Sequence, residues 1–260
     1  MRFGFLIAIL ISSGLSVFGQ SADGAWTLGP NWAYNRNISN LEIARIAMQG
    51  EINKRLVGGS SASKASKKRV KATGAGAYKI APHVVPELVS TEFEGTDKQK
   101  SGLKSSLEDA IRFYENIAFQ KRYPSNDLSF GIMYYVVNSY VIYRNIEPSA
   151  KDVSGQTQYL VGGFYSPLIS HERALFQQIK NQLRVSKEYS ALSDSEKQKA
   201  TEMLAIYTTL MWHQFQALAA KRDMAGLGAL RTVAASNVEG FAGSRIASID
   251  IGEKGIVVVD

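Results

Sequence analysis

Cysteine is absent from this 260-residue chain, which excludes a disulfide framework, thiol catalysis, an acyl anchor on cysteine and any cysteine-ligated metal. Histidine is scarce. There are three, and His171-Glu172 lacks a second histidine four residues after the first, the spacing a helical zinc site uses. There is no G-x-S-x-G, so the strand-to-helix elbow that exposes a nucleophilic serine has no counterpart. Gly74-Ala75-Gly76 is too lax for a phosphate loop, because no strand precedes it and the third glycine is missing. No internal repeat is present, and the longest apolar run falls short of the about 20 residues that a bilayer-spanning helix needs. These absences leave no metal, no cofactor and no catalytic residue to expect.

What is present begins with an export signal. Arg2 supplies a positive start, Phe5 to Ile11 a short apolar stretch, and Val17-Phe18-Gly19 a small-residue cleavage site. Residues 1–19 are therefore expected to be a signal peptide, with Gln20 opening a secreted or periplasmic mature chain; the competing reading is an uncleaved anchor. Losing Arg2 lowers the formal charge from +7 to +6, and Lys64, Lys67, Lys68, Arg69, Lys71 and Lys79 account for all of it. The rest of the mature chain is neutral by count. Charge confined to one segment of an exported chain does not point to nucleic acid as a partner.

Residues 20–56 read as an aromatic segment with Trp26, Trp32 and Tyr34, then an amphipathic helix on Leu41, Ala44, Met48, Ile52 and Leu56. Asn37-Ile38-Ser39 is a glycosylation sequon, relevant only in a eukaryotic source. Residues 57–79, poor in large apolar side chains and rich in Gly, Ser, Ala and Lys, cannot bury enough surface to offset their ordering entropy, and read as a flexible basic linker. Such a run is usually a solvated tether, but it can also hold an anionic surface.

Residues 80–243 form the expected helical domain. A lead-in with Pro82 and Pro86 is read as extended up to residue 95. A long helix follows on Leu103, Leu107, Ile111, Tyr114 and Ile117, with Ser105 and Glu108 at capping-box spacing and Lys121 and Arg122 at its end. After the turn at Pro124, the run Phe130 to Tyr143 is apolar on nearly every side, which predicts a buried central helix over 126–144; its β-branched residues keep a buried strand open. Residues 145–170, broken by Pro148, Gly155, Gly162, Gly163 and Pro167, read as a long irregular loop, either a crossover or a lid over the core. Ser170 is taken to cap the next helix, Ser193-Asp194-Ser195-Glu196 is a capping box, and a last helix starts weakly at Gly226 and Gly228. In the tail, 244–260, Ile246 to Ile251 and Ile256 to Val259 flank a glycine-bounded turn, a hairpin that packs on its own domain or adds to another protein's sheet. The fold expected is mainly α: an irregular antiparallel helical bundle around the 126–144 helix with a small C-terminal β-hairpin.

One polar residue stands out in that central helix. A buried amide costs a few kcal/mol unless it is hydrogen-bonded, so Asn138 is either a satisfied core residue or a ligand contact. In the second case Tyr134 and Tyr135 would wall the pocket with His213 facing them, and these four are the candidate binding residues. Asp127 and Glu172, each near a helix start, are explained as well by capping and the helix dipole.

The long amphipathic helix, the turn Pro124-Ser125-Asn126-Asp127-Leu128, the bulky helix ending near Arg144 and the cap Ser193-Asp194-Ser195-Glu196-Lys197 ahead of another long helix suggest a relationship. Over about 96–241 the chain resembles an uncharacterised family of secreted bacterial helical proteins, a domain of unknown function. The resemblance implies a bacterial, exported, mainly helical domain and carries over no catalytic residue. The function expected is an exported, non-enzymatic binding module of the envelope or extracellular space, meeting an envelope protein or an anionic surface, with no transmembrane span after cleavage. The alternative is an enzyme or small-ligand carrier with a pocket between the central helix and the 145–170 loop.

Overall fold

The computed structural model describes Phe18–Gln20, Trp26–Leu28 and residues 70–259 apart from 152–154, 156, 163 and 164. Most of the leader, the helix expected over 41–56 and residues 57–69 of the linker lie outside the described residues. Phe18–Gln20 (β1) pairs antiparallel with Trp26–Leu28 (β2). All but one of the helices that follow start where a side chain takes up free amides of a first turn. Thr96 and Gln99 box the start of α2 (Asp97–Lys121), which follows the short α1 (Val85–Glu92). Asp127 caps α3 (Leu128–Asn145), Ser193 and Glu196 box the start of α6 (Asp194–Lys221), and Asp223 caps α7 (Met224–Ala242). Between α3 and α6 run β3 (Ile146–Lys151), β4 (Thr157–Val161), α4 (Ile169–Val185) and the single turn α5 (Lys187–Ser190).

Three expectations about where helices start need correcting. The lead-in is not extended throughout, since Pro86 sits in the first turn of α1, where its missing N–H costs nothing. Ser105 and Glu108 lie inside α2, whose box is set earlier, at Thr96. Ser170 lies within α4, which starts behind Leu168 without a side-chain cap.

The central segment is a helix, α3, and it is the core. Phe130, Val136, Tyr140 and Ile142 are fully buried along it, each such side chain worth about 1.5–3 kcal/mol of burial. It packs on α4, α6 and α7. The α2 helix lies on α6 and reaches α3 through Tyr114, whose ring is 5.1 Å from Phe130 and 5.3 Å from Tyr134. No helix among the described residues is long and apolar enough to cross a membrane.

The stretch expected as a long loop is mostly the antiparallel hairpin β3–β4, Ile146 opposite Val161. Asn145 stitches its base: its amide donates to Val141 O at 2.9 Å and Tyr165 O at 3.0 Å, and its carbonyl accepts from Tyr165 N at 2.7 Å. Tyr159 of β4 lies against α7 at Gly228, where an added Cβ would stand 2.5 Å from the ring. The glycine that weakens the start of α7 is the seat of the hairpin.

A 3-10 turn (Ile246–Ser248) leads into β5 (Ile249–Gly252) and β6 (Gly255–Val258), the expected C-terminal hairpin. It packs on its own domain, burying Ile249 and Ile251 against α4. Tyr140 Oη donates to Ile249 O at 3.0 Å. The Gln178 side chain bonds both backbone groups of Ile256, N–H at 2.9 Å and C=O at 3.2 Å, so one residue on the outer edge of β6 is already paired.

Candidate functional site

The densest polar construction lies where residues 79–85 run extended along α6. Four residues of helix advance about 6 Å and two residues of extended chain about 6.6 Å, so side chains at every fourth helix position can meet successive outward backbone groups of a strand-like segment. Asp194, Gln198 and Glu202 have this spacing. Asp194 Oδ2 accepts from Lys79 N at 3.0 Å, and Gln198 Oε1 accepts from Ala81 N at 3.1 Å while its amide donates to Ala81 O and Pro82 O at 3.1 and 2.9 Å. Glu202 Oε2 accepts from Val84 N and Val85 N, both at 2.9 Å. The α1 helix has no capping side chain of its own; Glu202 caps it from α6.

The other oxygen of Glu202 takes a bond from Gln198 at 2.8 Å and faces His83 Nδ1 at 3.1 Å. The carboxylate is buried and the imidazole one-third exposed, with side-chain exposures of 4% and 33%. Burial opposes ionisation of Glu202, but the bonds from His83, Val85, Gln198 and Val84 outweigh it and hold its carboxyl below the usual range. The same bond raises the His83 imidazole above its ordinary value, against the effect of burial. A cleft opens beside the pair, lined among others by Tyr78, Glu115, Asn126 and Thr201. With Nδ1–H given to Glu202, Nε2 of neutral His83 is the atom that can accept a proton or a hydrogen bond.

A second polar cluster pins the chain just before this. Ala77 bridges to Asp127, Tyr78 N donates to Asn126 O at 3.2 Å, Leu128 N donates to Gly76 O at 2.9 Å, and the Asn126 amide donates to Tyr78 O at 2.7 Å. Residues 76–79 are thus bonded into the domain, so the stretch read as linker ends earlier than residue 79. Asp127 is fully buried under Gly76, whose added Cβ would stand 2.3 Å from Asp127 Oδ1. Burial pushes its carboxyl up, against bonds from Ser129, and Lys180 Nζ lies 4.0 Å from Oδ2. Asp127 caps α3 as expected, through Ser129 N at 2.8 Å. Glu172 does not cap: it is buried and pairs with Lys121 Nζ of α2 at 2.6 Å.

The four residues singled out from sequence do not line this cleft. Asn138 is half-buried and its amide donates to Tyr134 O, one turn back, at 2.7 Å. The Tyr134 hydroxyl is 3.3 Å from Thr209 Oγ1, and burial pushes it up to about 12. Tyr135 turns instead to Tyr207, 5.7 Å between rings, its hydroxyl held well above the ordinary value by burial. His213 lies edge-on to Phe113 of α2 at 5.8 Å, and its Nε2 is buried with no hydrogen-bond partner among the described residues; burial lowers its proton affinity. The structure brings Asn138 and Tyr134 together and sends Tyr135 and His213 to other neighbours. Sequence reasoning passed over Asp194, Gln198 and Glu202, although a polar residue at every fourth position of a helix with an apolar stripe was a readable sign of a second, polar face.

No curated protein and no solved structure matches the chain. The match that is found agrees in kind with the resemblance read from the sequence, but begins in α4, leaves out the central helix and takes in the C-terminal hairpin: residues 171–259 match a family of unknown function (DUF6683).

Proposed function

We propose that the protein is an exported, non-enzymatic binding module of the bacterial envelope or extracellular space, whose basic stretch meets an anionic surface. The observation that supports this most is the way that stretch is joined to the domain. The six cations from Lys64 to Lys79 carry the whole excess charge of the mature chain, and its last residues are bonded to the N-terminus of α3 and to Asp194 of α6. The basic stretch is thereby joined, at residues 76–79, to a helical body that is neutral by count. Each basic residue close to an anionic membrane contributes up to about 1 kcal/mol.

The test is co-sedimentation of residues 20–260 with phosphatidylglycerol vesicles, against phosphatidylcholine vesicles, at low and at physiological salt. Binding is expected to the anionic vesicles only, to weaken with salt, and to fall at least about tenfold in K64S/K67S/K68S/R69S/K71S. Equal binding by that variant, or none by the parent chain, overturns the proposal.

A second reading, an enzyme or small-ligand carrier, is favoured by the one-third-exposed His83 imidazole oriented by a buried carboxylate beside a cleft. It moves the pocket from α3 and the 145–170 segment to the groove between residues 78–83, α2 and α6. Chemical-shift changes of His83 on titration with a small-molecule library would support it, and their absence while the vesicle test succeeds would remove it.

A further inference from the structure

The strap formed by residues 79–85 is fastened by groups of unequal kind. Asp194 and Gln198 hold only backbone atoms of the strap, and those bonds do not depend on the charge of a partner that titrates near neutrality. Glu202 holds both the first amides of α1 and the ring of His83. His83 belongs to the strap; the charged groups that act on it are Glu202 from α6 and Glu115 and Glu108 from α2, and Tyr78 and Tyr114 line the same cleft. The opposing influence is the partial burial of the ring, which favours its neutral form.

We infer that the His83–Glu202 pair is a pH-sensitive clasp on the strap, tight when the imidazole is protonated and looser when it is neutral. Protonated, the ring forms an ion pair with the Glu202 carboxylate in a field of three acids; neutral, it keeps the hydrogen bond to that carboxylate without the ion-pair attraction. The raised proton affinity of His83 in the folded chain agrees with this direction. As pH rises through that raised value the strap opens more often, loosening the start of α1 and the anchor of the basic stretch. The clasp deepens the surface-binding proposal by naming how its anchor is regulated. Its test reads the anchor alone, so failure of vesicle binding leaves it standing.

The experiment is hydrogen exchange of the full mature chain from pH 5 to 8.5, corrected for intrinsic rates, following the amides of Lys79, Ala81, Val84 and Val85. Their protection is expected to fall about tenfold across the titration of His83, the loss of the ion-pair attraction between the ring and the carboxylate. Amides in the middle of α7 should not follow that step. His83→Gln should remove the step and leave protection near the alkaline level at every pH. Glu202→Gln should lower protection throughout, and the His83 ring proton followed by NMR in that variant should titrate at a lower pH than in the parent. Flat protection in the parent chain, or an unchanged step in His83→Gln, overturns the clasp.

Discussion

At the scale of single residues, Gly76 and two histidines make the sharpest demands. The Cα of Gly76 backs onto the Asp127 carboxyl and Ser129, with 2.3 and 2.6 Å left for a Cβ, and neither neighbour can withdraw from the buried start of α3. Gly76→Ala should cost about 1–3 kcal/mol, the usual penalty for overpacking, read from urea unfolding; a wild-type midpoint would show that the 76–78 segment can lift away freely. The histidines titrate with opposite signs. His213 is depressed by burial, so it stabilises the fold above its ordinary value near 6.5, and that stability is lost as pH falls below. His83 is raised by Glu202, so its contribution is complete below 6.5 and is lost as pH rises through its folded value. Unfolding free energy measured against pH should therefore lose the first part of its acid-side fall, just below about pH 6.5, in His213→Leu and its alkaline-side fall in His83→Gln, while the fall at lower pH that belongs to Glu202 persists in His213→Leu.

Elements were legible where the signal was local. Ser193 with Glu196, and Asp127 after Pro124, announce α6 and α3 because a cap and its amides lie within one turn of chain. The β3–β4 hairpin was hidden because Glu147-Pro148-Ser149 breaks the alternation that marks a strand, and what holds it, Asn145 and the seat at Gly228, comes from other elements. The same holds for α1, capped by Glu202 from far along the chain. The candidate site suffered most, since Asn138 looked costly only until its own helix supplied the acceptor. At this scale Gln178 gives a clean test of the C-terminal hairpin. It satisfies both backbone groups of Ile256 from α4, so Gln178→Ala should cost about 1–2 kcal/mol and speed exchange of the β5–β6 amides before those of α3. Loss from both elements together would mean that the hairpin unfolds only with the bundle.

For the whole molecule the question is where the domain begins. Composition put the boundary at residue 79, since Gly, Ser and Lys cannot build a core, but backbone bonds need no apolar side chains, and those of Gly76, Tyr78 and Lys79 reach α3 and α6. These bonds cover the fully buried Asp127 and, with Tyr78, flank the cleft. Removing them leaves the amides of Leu128 and the carboxylate of Asp194 to water and uncovers a carboxyl whose proton affinity burial has raised. A chain starting at residue 70 should therefore unfold in urea at the same midpoint as one starting at residue 20, whereas a chain starting at residue 80 should lose about 4 kcal/mol, from four bonds at about 1 kcal/mol each. Since Asp127 ionises more easily once it is exposed, the shorter chain escapes the cost of a buried carboxylate at neutral pH, and the loss should grow below about pH 4, where the carboxyl is protonated in both chains. Equal midpoints for the starts at 70 and 80 would return the 74–79 stretch to the linker and detach the basic segment from any fixed anchor.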